Sequence, residues 1–82
     1  MTTLDAALRR AIRRAPCTTR ALARTAGVSH VMLAQIVRGK ERATPRVARL
    51  VAKALETWAA RCAGEAAAVR KALKGHTPKG EA

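Results

Sequence analysis

Apolar residues in this 82-residue chain recur every three or four positions, which is helical spacing. Leu4, Ala7 or Leu8, Ala11, Ile12 and Ala15 mark a first helix over about Thr3 to Ala15. Its other face carries Arg9, Arg10, Arg13 and Arg14, and Pro16 ends it, because the residue before a proline is pushed out of the helical region. Thr2 with Asp5 resembles a capping box in which Asp takes the usual Glu place. Leu22, Ala23 and Ala26 share one face of a second helix, about Thr19 to Ala26, with Thr18 as its N-cap. Met32 or Leu33, with Ile36, gives the apolar face of a third helix over about His30 to Arg38, capped by Ser29. Val47, Leu50, Val51, Ala54, Leu55 and Trp58 form a longer stripe that starts behind Thr44 as N-cap and Pro45 at the first helical position.

The stretch from Thr18 to Gly39 organises the chain. A cap, a short helix, Gly27 where a helix end favours positive φ, a second cap at Ser29 and a second helix closed by Gly39 are the parts of a helix-turn-helix. Thr18, Leu22, Ala23, Ala26, Gly27, Val28, Ser29, Leu33, Ile36 and Gly39, at this spacing, resemble the Cro/cI-type (XRE) family of phage and bacterial repressors. The likeness is tight over about a quarter of the chain and looser through Lys40 to Leu55. Val37, beside Ile36, stands where the family often carries Glu, so a charged tie to a first-helix arginine is not expected.

The resemblance implies that the third helix enters the major groove of DNA. By position its base readers are His30, Val31 and Gln35, with Ala34 close to the groove floor. Gln can bond adenine in bidentate fashion, and Val or Ala can pack on a thymine methyl. Val31 and Met32 have the competing use of facing the core or a partner chain. Thr18 and Thr19 match phosphate-contacting positions of the family, at a helix N-terminus suited to anions. Capping alone also accounts for Thr18. Arg38, Lys40, Arg42 and Arg46 lie in and just after a basic loop that grips the sugar-phosphate backbone in the family, and its composition suits that task independently. Arg20 and Arg24 lie one turn apart, and at least one is expected simply to face solvent.

Beyond Leu55 the chain departs from the family, where most relatives turn through a Gly-containing loop into a fifth helix. Glu56 to Cys62 keeps helical propensity here, Gly64 marks a kink or short break, Glu65 to Leu73 is helical again, and Lys74-Gly75 is a stop. An unbroken helix from Pro45 to Lys74 would extend about 45 Å, more than a small core can cover. Trp58, Cys62, Val69 and Leu73 would then need another surface. The favoured one is a second subunit, with Trp58 as anchor; the alternative folds the segment back on the first helix.

The expected fold class is therefore all-α, a small helix-turn-helix domain of four to five helices with an extended C-terminal helix. Residues 1–57 form the DNA-binding domain, 58–75 the helical extension for dimerisation, and 76–82 a disordered basic tail. Composition sharpens this picture. Much of the 49% apolar content is alanine, with no Phe or Tyr and one Trp, so the core is limited and subunit association is a natural remedy. A formal net charge of +12 points to a polyanionic partner, nucleic acid first and acidic membrane second. Absence of a long apolar run or secretory pattern leads to the expectation of a soluble, cytoplasmic, nucleoid-associated protein. Cys17 and Cys62, with His30 and His76, have no zinc spacing; both cysteines are expected as small buried hydrophobes, or Cys62 as a contact across a dimer.

The leading reading is a dimeric repressor that binds an inverted repeat in double-stranded DNA. The others are an architectural DNA-coating protein with weak sequence preference, and an antitoxin-like module whose C-terminal helix binds another protein. RNA is disfavoured by the lack of stacking aromatics. No catalytic constellation, phosphate loop or cofactor motif is legible, so neither enzyme activity nor a cofactor is expected.

Overall fold

A computed structural model describes residues 3–76. Its four helices are α1 (Leu4–Arg14), α2 (Thr19–Ala26), α3 (His30–Val37) and α4 (Pro45–Gly75). Each begins at a hydroxyl cap. The side-chain oxygens of Thr3, Thr18, Ser29 and Thr44 accept from the backbone N–H groups of Ala6, Ala21, Met32 and Val47, at 3.1, 3.1, 3.3 and 3.2 Å. These bonds satisfy donors that a helix start leaves without an internal partner.

Thr3 is thus the cap of α1 and not its first residue, and α1 ends at Arg14 with Ala15 as its C-cap. Thr2 lies outside the described residues. Asp5, in the first turn of α1, also reaches beyond its own helix: its carboxylate accepts from the N–H of Ala43, 38 residues away, at 2.6 Å. That bond ties the loop ahead of α4 to the start of α1.

The core is aliphatic. Leu8 and Ile12 of α1, Leu22, Ala23 and Ala26 of α2, Leu33 and Ile36 of α3, and Val47, Val51 and Ala54 of α4 form one buried cluster. Leu22, Leu33, Ile36 and Val51 are its largest fully enclosed side chains. Truncating a leucine in such a position typically costs about 2–5 kcal/mol. Val37 packs at the edge of this cluster together with Met32, Leu50, Leu55 and Trp58.

α4 is a single helix of 31 residues. Gly64 does not break it, and the segment beyond Leu55 does not fold back as a fifth helix. The covering of α4 ends at Trp58, because every residue from Ala59 to Gly75 is exposed. The helix projects from the packed domain and gives the molecule a longest dimension of 54 Å against 25 and 23 Å for the others. Cys62 is on this projection and is exposed, contrary to the expectation of a buried thiol, whereas Cys17 is half-buried. His76 ends α4, its N–H bonding the carbonyl of Leu73 at 3.2 Å, and 77–82 of the expected tail lie outside the described residues. No helix among the described residues is long and apolar enough to cross a membrane.

Candidate nucleic-acid interface

The turn between α2 and α3 is fixed by Gly27, whose φ of 75° lies in the left-handed region. Its N–H bonds the carbonyls of Ala23 and Arg24 at 2.8 and 3.3 Å, and the N–H of Val28 bonds that of Ala23 at 3.0 Å. This paired closure of a helix end is the Schellman arrangement, and it needs a residue without a Cβ penalty. Ser29 then restarts the chain as α3. Gly39, at φ 78°, repeats the device at the other end: its N–H bonds Ile36, and that of Lys40 bonds Gln35, at 3.1 and 2.8 Å. α3 is thereby held to eight residues with both ends defined.

Leu33 and Ile36 bury one side of α3. At about 100° per residue, His30, Val31, Ala34 and Gln35 occupy the opposite arc. His30 and Val31 are exposed, Val31 at 55% of its surface, and Ala34 and Gln35 are half-buried. Val31 therefore has no place in the chain's own core, whereas Met32 packs at its margin. The carboxamide of Gln35 is less simple. Its Oε1 is buried and has no hydrogen-bond partner among the described residues; Arg9 Nε is in the same condition.

Arg20 and Arg24 line one open concavity with Ser29, His30 and Val31, beside the N-terminus of α3. At least one of these two arginines was expected simply to face solvent, and both are exposed. Their one-turn spacing on α2 was visible in the sequence, but the position of α3 against that face was not. Past the C-terminus of α3, Arg38, Lys40, Arg42 and Arg46 are all exposed. Arg38 is the C-cap residue of α3, Lys40 and Arg42 are on the loop held by Asp5, and Arg46 is in the first turn of α4. Thr19 starts α2 half-buried, and the hydroxyl oxygen of Thr18 is occupied as its cap while the residue stays exposed. Arg9, Arg10, Arg13 and Arg14 line a separate concavity on α1.

The residues expected at a dimer contact divide. Trp58 is half-buried against its own core, its Nε1 donating to Thr25 Oγ1 at 3.1 Å and its ring lying under the Arg61 guanidinium at 4.9 Å. Cys62, Val69 and Leu73 are uncovered, the last two at 66% and 67% of their surface. No group of His, Cys, Asp and Glu among the described residues is arranged to hold a metal ion.

No family model matches this chain, and no curated protein or solved structure is significantly similar to it.

Proposed function

We propose that this chain binds double-stranded DNA in a sequence-dependent way and acts, as a dimer, as a small transcriptional regulator of the repressor type. The observation that carries the reading is the division of α3. One side is committed to the core, and the other presents His30, Val31, Ala34 and Gln35 between two groups of cations. Arg20 and Arg24 stand at one end of the helix, and Arg38, Lys40, Arg42 and Arg46 follow the other. Base edges are read by side chains on a helix face, while cations on either side hold the phosphates and set register.

Turned toward a base, the Gln35 side chain would offer its amide edge to adenine. A nucleoid location follows from DNA binding and has no separate support. The architectural reading draws on a different observation, the charge of +12 with four arginines along α1. Such charge favours any duplex regardless of sequence.

Selection from a random duplex library at about 0.15 M salt, with sequencing of the bound pool, separates the two. An enriched inverted repeat with half-sites about one helical turn, 34 Å, apart is the expected result. Binding without enrichment would replace sequence reading by the architectural role. Absence of binding would sink both.

A further inference from the structure

Along α4 runs an apolar seam that alternates steps of four and three residues, the heptad spacing by which helices pair. It begins at Ala48, Ala52 and Leu55, where it forms one wall of an open groove of about 250 Å³ whose other wall is Leu4, Ala7 and Ala11 of α1. It continues through Ala59, Cys62, Ala66, Val69 and Leu73 on the uncovered half of the helix. No charged residue interrupts it. The exposure of Leu4, Val69 and Leu73 belongs to the same surface.

The seam is symmetric about the point midway between Ala60 and Arg61. Ala48 mirrors Leu73, Ala52 mirrors Val69, Leu55 mirrors Ala66, and Ala59 mirrors Cys62. In each pair a small side chain answers a larger one. A two-fold contact requires this self-complementarity, because residue i of one chain meets j of the other and j meets i. The spacing mirrors itself in any heptad run; it is the matching of small against larger side chains in all four pairs that a second copy of this helix answers. We propose that two copies pair their α4 helices antiparallel, each seating Val69 and Leu73 in the groove between α1 and α4 of the other.

Charge agrees with this direction. Glu56 and Arg70 each directly follow a seam residue, Leu55 and Val69, and so lie along the same edge; in the mirrored pair Arg70 of one copy stands five residues beyond the level of Glu56 of the other. Side chains on a helix tilt toward its N-terminus. In an antiparallel pair, Glu56 of one copy and Arg70 of the other therefore lean toward each other, twice per dimer. Trp58, fixed in its own domain by Thr25, flanks the seam and does not fill it.

The pairing gives geometry to the dimeric part of the proposed function and rests on that part, not on DNA binding. Its test accordingly contains no DNA. Sedimentation of the full chain at micromolar concentration is expected to give twice the 8.7 kDa mass of one chain. Ala52→Cys and Val69→Cys are then made separately in a Cys17→Ser, Cys62→Ser background and mixed under oxidised glutathione. Both sites are exposed, so the fold does not depend on them. The antiparallel seam yields mainly the mixed 52–69 disulfide.

Glu56→Arg and Arg70→Glu should each weaken association by roughly threefold to tenfold, and the double variant should restore it. A mass of one chain would overturn the pairing, and predominant 52–52 and 69–69 disulfides would overturn its direction. Either failure leaves the outer face of α3 free to bind DNA. A dimer that enriches no DNA motif would fail the sequence-reading proposal alone.

Discussion

Trp58 Nε1 donates to Thr25 Oγ1 at 3.1 Å, and the same hydroxyl donates to the carbonyl of Ala21 at 3.1 Å. The middle of α4 is thus fastened to the last turn of α2, immediately before the Gly27 turn. Trp58→Phe should cost about 0.5–1.5 kcal/mol for the lost bond. Thr25→Val should cost a similar amount, and the double variant less than the sum. Urea unfolding of the four proteins reads the coupling, and strict additivity would show that the bond contributes nothing.

Asp5 holds Ala43 across 38 residues of sequence. Asp5→Ala removes a charged acceptor from a half-buried backbone N–H, at an expected cost of about 1.5–3 kcal/mol. Because that bond restrains the loop bearing Lys40 and Arg42, the variant should also bind duplex DNA more weakly at temperatures where it is fully folded. Calorimetric unfolding and a binding titration check the two effects separately.

Gln35→Ala and Arg42→Ala should differ in kind. The first is expected to cost about 1–3 kcal/mol on the preferred site and to relax one base position. The second should weaken binding to every sequence and lower the salt slope by about 1. Equal losses for Gln35→Ala on specific and random duplexes would remove it from the base readers.

Glycine to alanine should change stability in opposite directions at two positions. At Gly27, with φ 75°, a Cβ is strained even though nothing stands within 4 Å of it, so Gly27→Ala should destabilise by about 1–2 kcal/mol. Gly64 sits inside α4 with the same open space and helical backbone, so Gly64→Ala should stabilise the helix by about 0.5–1 kcal/mol. Thermal melts followed by circular dichroism would show both.

Burial raises the pKa of the Cys17 thiol above its usual 9.0, with a smaller contribution from a Cys62 thiolate. Iodoacetamide should therefore modify the exposed Cys62 first, as peptide mapping over time would show. The folded chain holds the Cys17 proton more tightly than the unfolded chain does. This contribution to stability is complete below the unfolded value and is lost as pH rises through the higher folded value. Cys17→Ser should flatten the alkaline decline in stability.

Most of the helix starts were legible because capping is local. Thr18, Ser29 and Thr44 each bond a backbone N–H three residues on, and Gly27 closes a turn within five residues. What escaped was non-local. Nothing near Asp5 in the chain marks Ala43 as its donor, so a capping pair with Thr2 was the natural expectation. The stripe through Trp58 gave its spacing but not the surface beneath it. The indole belongs to α2, and covering stops there, which also leaves Cys62 in the open. Arg20 and Arg24 gained meaning only from the placement of α3, which follows from packing Leu33 and Ile36 against α1 and α2.

The two sides of α3 carry separate obligations. Leu33 and Ile36, with the turns at Gly27 and Gly39, decide whether the domain forms. His30, Val31 and Ala34 add little to that outcome. Those outward positions are consequently open to replacement, singly or as a randomised set, while the scaffold stays intact. New preferences for DNA could arise there by few substitutions, with the melting temperature as a near-constant background.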